Sequence, residues 1–400
     1  MSLISDRLNR LAPSPTVQIT DMALNMKAAG RKVIGLAAGE PDFDTPQHIK
    51  DAAIAAMQDG KTKYTQVDGI PELKAAICRK FARENKITCT PDMISVGTGG
   101  KQILFNALMA SLNPGDEVLI PTPYWVSFAG ITELCEGVPV YISGSGDNPM
   151  KITPDDLAAA ITPKSKWLIL NSPSNPGGVG YSAQDLEALA DVLRRHPNLY
   201  VISDDIYEHL IYDNFRFATL AGIAPDLQDR ILTVNGVSKS YCMTGWRIGY
   251  GAGPASLIKA MAKVQAQSTS SPNSIAQYAA IAALDGPLDF IVDNLAAFAR
   301  RRHLVCQALT EIDGIDCTLP DGAFYVYPSI KELIGKRCPD GQIIENDADF
   351  VAYLLEVGEV AVVPGIAFGL SPYFRISYAA ADDVLCDAMA RIAKAVAGLS

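Results

Sequence analysis

The sequence predicts an α/β fold: a large domain on a mostly parallel, mixed sheet between helices, and a smaller α+β domain. Three observations carry this. Helical and strand-like segments alternate from about residue 47 onward, as in chains built on parallel sheets. Several strand-like segments, such as Trp167 to Leu170, are near-continuous apolar runs, the pattern of strands covered on both faces. The 400 residues, 48% hydrophobic and 20% charged, suffice for one large domain and a smaller one.

The elements follow in order. The first 13 residues read as a polar arm ending at Pro13-Ser14-Pro15. Residues 33–46 hold a short apolar piece and then Gly39-Glu40-Pro41-Asp42-Phe43-Asp44-Thr45-Pro46, a loop by its Gly, Pro and Asp content. Segments 47–59 and 71–85 have helical spacing, the second with Pro71 at a first helical position. β-rich runs follow at 93–96, 117–120, 139–142, 167–170, 199–202, 231–234 and 247–250, with helical segments such as 101–112 and 182–195 between most of them. A long helical region at about 285–312 carries Arg300-Arg301-Arg302, read as a solvated helix face. Runs at 322–327, 360–365 and 374–378 read as strands of the smaller domain, closed by a helix at about 382–398. The boundary falls near residue 290.

Composition narrows the function. A net charge of −10 disfavours nucleic acid or an anionic membrane as partner. Eight scattered cysteines form no C-x-x-C pair, and four histidines share no spacing, so no metal site is expected and the thiols read as reduced. The first residues show no apolar signal core, and no apolar run reaches the roughly 20 residues of a membrane span. The expected compartment is the cytoplasm.

In open α/β sheets, ligands bind beyond the carboxyl ends of the strands. Four polar clusters fall there: Gly97-Thr98-Gly99-Gly100-Lys101, Asn171 to Pro176, Ser203 to Tyr207, and Asn235 to Lys239. Lys239 sits in a loop of small residues, and Arg247 follows eight positions later. A lysine in a loop is most often solvated, but burial lowers an amine's pKa and makes it a nucleophile. Such an amine forms an imine with an aldehyde, an arginine holds a phosphate, and pyridoxal 5′-phosphate carries both groups. Asp204 and Asp205 end a buried strand, either as turn acids or with one carboxylate facing a cofactor ring nitrogen. Tyr207, three residues on from Asp204, can reach the ring's 3-oxygen, as can the amide of Asn175, which otherwise reads as a turn residue. Gly99-Gly100-Lys101 opens a helix whose N-terminus suits phosphate, although it is neither a P-loop nor a full G-x-G-x-x-G. Arg375 and Ser377 share one face of a strand, where a guanidinium serves either a surface ion pair or a substrate carboxylate.

Asn175, Asp204-x-x-Tyr207, Ser238-Lys239 and Arg247 in this order, with Arg375 near the C-terminus, resemble the fold-type I pyridoxal-phosphate enzymes. More narrowly, the chain resembles class I aminotransferases of the bacterial aspartate aminotransferase subgroup, which includes aspartate/prephenate aminotransferases. The resemblance covers nearly the full length and rests on Ala38 to Pro46, Lys63-Tyr64-Thr65, Gly99 to Gln102, Pro123-Tyr124-Trp125, Asn171 to Pro176 and Met243 to Tyr250.

The resemblance implies an arm (1–13), a small domain (14–45 with 291–400) and a large cofactor-binding domain (46–290). It implies that Lys239 carries pyridoxal 5′-phosphate and shuttles the substrate proton, that Asp204 pairs with the pyridine nitrogen, and that Tyr207 and Asn175 bond the 3-oxygen. Trp125 stacks on the ring. Gly99, Gly100, Lys101, Ser238 and Arg247 surround the phosphate, with Tyr64 reaching in from the partner of a homodimer. Gly39, Trp125, Asn175 and Arg375 contact the amino acid. The implied reaction is ping-pong transfer from an L-amino acid, first aspartate, to a 2-oxo acid such as 2-oxoglutarate. Aromatic amino acids or the prephenate/arogenate pair come next, and a carbon–sulfur β-lyase or a non-enzymatic regulator after them. The chain departs from the pattern at Gly236, where many relatives carry serine, and at Ala12, where prephenate-active relatives carry lysine. No arginine is assignable to a distal carboxylate; Thr16, Lys101 and the 267–272 loop are the candidates.

Overall fold

The computed structural model of the chain describes residues 3–11, 13 and 15–400, and only the backbone of Arg10 and Thr16. Ala12 and the Thr16 side chain, both singled out for donor choice, lie outside the described residues. Strands in chain order are β1 (Ile34–Gly35), β2 (Ile94–Gly97), β3 (Glu117–Pro121), β4 (Val138–Ile142), β5 (Ser165–Asn171), β6 (Tyr200–Asp204), β7 (Ile231–Gly236), β8 (Gly249–Ala252), β9 (Tyr325–Val326), β10 (Val360–Ala361), β11 (Val363–Pro364) and β12 (Phe374–Ser377).

Seven of them form one sheet in the order β2-β8-β7-β6-β5-β3-β4. Every neighbouring pair is parallel except those of β8, which runs against both β2 and β7. The start of β8 therefore meets the carboxyl ends of the other six strands on one rim. Both faces of the sheet are covered. Leu168 and Leu170 of β5 enter one buried cluster with the helices Pro71–Lys80, Ala183–Arg195 and Ser274–Asp285. Trp167 and Ile169 enter another with the helices Gly100–Ser111 and Ala255–Ala266. Alternating side chains thus serve two cores, which is why the strand reads as continuously apolar.

A separate cluster gathers Phe298 and Val305 of the helix Asp289–Thr310, Phe324, Val326, Phe374 and Ile376, and Leu385 and Ile392 of the helix Asp382–Ala397. Its strands form an antiparallel sheet, β11-β12-β9, beside the parallel pair β1-β10. No single described helix is long and apolar enough to cross a membrane. The neighbours Ser274–Asp285 and Asp289–Thr310 reach that measure only jointly, bent by 83°.

Several boundaries differ from expectation for local reasons. The helix expected at 71–85 is α-helical only to Lys80. One π turn, Phe81–Asn85, follows and closes with Lys86 at φ 59°. The helix expected at 285–312 begins at Asp289, because Gly286-Pro287 separates it from its predecessor. The strand expected at 247–250 begins at Gly249, since Arg247 adopts the left-handed region at φ 58°. The strand expected at 199–202 runs from Tyr200 to Asp204, so that acid is the last residue of the strand itself.

The arginine run overturns its reading as a solvated face. Arg300 is exposed and pairs with Asp382, but Arg301 and Arg302 are buried. Arg301 binds Asp42 through two bonds of 2.8 and 2.9 Å, and Asp382 at 3.0 Å. Arg302 pairs with Asp213, donates to Pro320 O at 3.0 Å and lies over the Tyr212 ring. Helical periodicity places three consecutive residues on different sides, so a run of like charges need not share one environment. Arg301→Ala is expected to destabilise the protein by about 2–3 kcal/mol, since it strands Asp42 and part of Asp382. Arg300→Ala should leave the melting temperature unchanged. Differential scanning calorimetry of the two variants separates these outcomes.

Candidate active site

The strand-end clusters converge on one cavity of about 320 Å³ on the sheet's rim. Lys239 enters three residues beyond the end of β7. It keeps partial access to the cavity and donates to the carbonyl of Gly39, at the start of the Gly39–Pro46 loop. Burial holds its amine at about 8, helped by the nearby Arg375 and Arg247 and opposed by Glu40 and Asp204. Asp204 closes β6 almost wholly buried, and its carboxyl accepts the Ile206 N–H at 3.3 Å. Desolvation lifts this acid to about 7. Asp205 is turned away: it accepts from Ser203 Oγ at 2.8 Å and does not line the cavity. Of the two acids that end the strand, the one lining the cavity is Asp204, which the resemblance implies for the pyridine nitrogen.

The wall opposite is built from neutral acceptors around a cation. Arg375 of β12 is 2% exposed, donates to Asn175 Oδ1 at 2.8 Å and Ala37 O at 2.6 Å, and is sandwiched between Tyr325 and Phe368. Its Nε has no partner, and no carboxylate pairs with it among the described residues. Burial alone lowers its pKa. Asn175 is held by its own N–H, which donates to Asn171 Oδ1 at 2.8 Å. Asn171 in turn donates to Asp204 O at 2.9 Å. Tyr207 Oη lies 2.9 Å from Tyr325 Oη.

The remaining end is cationic. Gly100 and Lys101 open the helix Gly100–Ser111, whose N-terminus carries partial positive charge. Lys101 Nζ sits 5.0 Å from the Trp125 ring centroid, and desolvation, with Arg247 beside it, lowers its pKa. Among the described residues Arg247 donates to carbonyls, Thr244 O at 2.7 Å and Thr98 O at 3.4 Å. A Cβ at Gly99, whose φ is +84°, would lie 2.4 Å from Arg247 Nη2. Glycine there is what lets the guanidinium lie against the turn.

Of the residues singled out from sequence, Gly39, Gly100, Lys101, Trp125, Asn175, Asp204, Tyr207, Ser238, Lys239, Arg247 and Arg375 line this cavity. Gly99 stands behind Arg247. Tyr64 does not join them and is 94% exposed. The 267–272 loop is also not in the lining, although Gln102 Nε2 reaches Thr269 Oγ1 at 2.8 Å. Sequence reasoning missed Tyr325 and Asn171 as site residues. The signal for Tyr325 was alternation in a short strand, where it faces away from Val326; Asn171 lay inside a motif already quoted.

Residues 31–392 match the family of class I and II aminotransferases. The chain belongs to that family. Over 400 residues it is 58% identical to the aspartate/prephenate aminotransferase of Cereibacter sphaeroides, covering all of both chains. It is 54% identical to the aspartate aminotransferase of Rhizobium meliloti over 396 residues, 99% of this chain and 97% of that one. The crystal structure of the aspartate aminotransferase from Rhizobium meliloti superposes with a TM-score of 0.97 over 100% of each chain at 54% identity. The Thermus thermophilus aspartate aminotransferase with maleate superposes at 0.92, with 41% identity over 99% of this chain and 100% of that one. The fold is therefore that of the fold-type I aminotransferases, the cofactor is pyridoxal 5′-phosphate, and the reaction moves an amino group between amino and 2-oxo acids.

The residues of this aminotransferase fit that cofactor. The cavity offers a partly desolvated amine, a buried carboxylate short of donors, and an anion site walled by a glycine that a Cβ would fill. Gly99→Ala should push Arg247 out of place and weaken pyridoxal 5′-phosphate binding on the order of tenfold. Fluorescence titration of the apoprotein measures this; unchanged affinity would remove Arg247 from the phosphate site.

Proposed function

We propose that this aminotransferase takes its amino group from L-aspartate and gives it to 2-oxoglutarate, as a cytoplasmic homodimer. The observation that supports it most is the pairing, in one cavity, of the acid-free guanidinium of Arg375 with a second cation, Lys101. A dicarboxylic amino acid presents an anion to each. The relatives named as aspartate aminotransferases support the same donor.

The cofactor, when bound, supplies an aldehyde for covalent capture of an amine and a ring that withdraws electrons from the substrate's α-carbon. In this reading the chain's own residues do the rest. Arg375 holds the α-carboxylate in a fork aimed by Asn175 Oδ1 and Ala37 O. Asp204, in low dielectric, keeps a proton at the pyridine nitrogen. Tyr207 and Asn175 donate to the 3-oxygen, and Trp125 covers the ring. Gly99, Gly100, Ser238 and Arg247 take the phosphate, which leaves Lys101, beside Arg247, for the distal carboxylate. Lys239 Nζ holds the cofactor and then moves the proton from the α-carbon. Its lowered pKa keeps an appreciable share of neutral amine near neutrality.

Tyr64 belongs to the partner's site in this reading. Its 94% exposure and the exposed apolar Ile54 and Met57 on the helix Gln47–Gln58 fit a surface that a second copy covers. The eight free cysteines fit a reducing compartment. The separate buried clusters support a division into a small domain, 14–45 with 291–400, and a large one, 46–290. A second reading adds prephenate as acceptor, favoured by the 58% identical relative of that name.

A half-reaction screen tests the donor. Aspartate added to the pyridoxal form should convert it to the amine form faster than any other amino acid; an aromatic amino acid leading instead would overturn aspartate. Borohydride should fix the cofactor to Lys239, and Lys239→Ala should abolish turnover while cofactor still binds. Label on another lysine would sink that assignment. An amine at about 8 is roughly one-quarter neutral at pH 7.5, against roughly one-thousandth for an ordinary lysine. The rate at which apoprotein captures pyridoxal 5′-phosphate should therefore rise with pH and level off above about 8 rather than above about 10.5.

A further inference from the structure

Tyr325 lies against Arg375, Tyr207 and Gly39 without having a place in the reaction derived above. It lies in β9, paired with Ser377 of β12, the strand that carries Arg375. Its ring is fully buried beneath the Arg375 guanidinium, 4.6 Å from centroid to Cζ. Its hydroxyl lies 2.9 Å from that of Tyr207 and so close to Gly39 that a Cβ there would sit 2.6 Å away. Gly39 is also the carbonyl that accepts from Lys239.

We propose that Tyr325 is a positioning residue that acts through Tyr207: its hydroxyl donates to Tyr207 Oη, which frees the Tyr207 proton for the cofactor's 3-oxygen. The direction of the bond follows from proton counting. Each phenol has one proton. If Tyr207 spends its own on the 3-oxygen, the 2.9 Å contact survives only with Tyr325 as donor. A donor that is itself hydrogen-bonded as an acceptor is polarised and donates more strongly, the more so away from water. Both phenols are buried, and their ionisation is disfavoured by that burial, so each keeps its proton and acts as a neutral donor. The charged groups facing the pair are Arg375 of β12 and Asp204 of β6, with Lys239 beside Asp204. The same ring forms one side of the Arg375 sandwich, so Tyr325 joins the carboxylate-binding and cofactor-binding halves of the site in one side chain.

The proposal rests on the reading that Tyr207 serves the 3-oxygen, and the experiment separates the two. A donor at the 3-oxygen stabilises its anion and lowers the pKa of the adjoining nitrogen linked to Lys239. The absorbance of the holoenzyme is titrated with pH for the wild type, Tyr325→Phe, Tyr207→Phe and the double variant. Tyr325→Phe keeps the ring under Arg375 and removes only the hydroxyl. Its midpoint should rise by roughly half a unit, and that of Tyr207→Phe by more. The double variant should match Tyr207→Phe alone, because Tyr325 has nothing left to act through. For aspartate, kcat of Tyr325→Phe should fall roughly three- to tenfold with KM changed less than about twofold. An unmoved midpoint in Tyr325→Phe, or a double variant whose shifts simply add, overturns the proposal while leaving Tyr207 in place. No shift in Tyr207→Phe overturns the reading beneath it and the proposal together.

Discussion

Three ionisable groups are held out of water at one cavity without being spent on each other. Among the described residues Arg375 meets an amide oxygen, a carbonyl and two aromatic faces, Asp204 a backbone N–H, and Lys239 a carbonyl. Removing charges from water costs several kcal/mol per ion, and pairing them internally would recover part of it. The chain forgoes that recovery, and the apolar burial of its large clusters offsets the loss. What remains is a guanidinium, a carboxylate and an amine each open to a ligand group of matching charge. The pKa directions say the same thing: burial is the largest cause for all three.

The sheet's one reversed strand makes this possible at the phosphate end. Because β8 runs against its neighbours, the residues that precede it arrive at the rim where the other strands end. Arg247 turns there in the left-handed region, a conformation that costs a non-glycine residue on the order of 1 kcal/mol. The turn aims the guanidinium across Gly99 and beside Lys101, so two cations and a helix N-terminus meet from three separate segments. A sheet of parallel strands alone would have sent that loop to the opposite edge.

Much of this was legible in the sequence, and the gaps have physical causes. The strand-end clusters stood out because polar residues directly after continuous apolar runs have few places to go, and Lys239, Asp204 and Asn175 came from that pattern, while Arg247 was read from its place eight residues after Lys239. Which of Asp204 and Asp205 faces the cavity was not legible from the strand pattern, since it depends on where β6 stops pairing; only the Asp204-x-x-Tyr207 resemblance pointed to Asp204. Tyr325 was hidden because aromatic residues in a short strand look like core, and this one is also core. Arg301 and Arg302 were misread because their acids, Asp42, Asp382 and Asp213, are remote in sequence. Tyr64 is 94% exposed and outside the cavity lining, so the structure of one chain gives its expected role no test.

The Gly39–Pro46 loop is gripped at two points only a few residues apart. Its first carbonyl receives the amine of Lys239, and its Asp42 is forked by Arg301, which also holds Asp382 at the start of the last helix. The final residues of the chain are therefore part of what aims an amine made far earlier. The helix Asp382–Ala397 is thus tied, through one guanidinium, to the loop whose first carbonyl receives the amine. A shift at the start of that helix has a two-bond route to the nucleophile's acceptor.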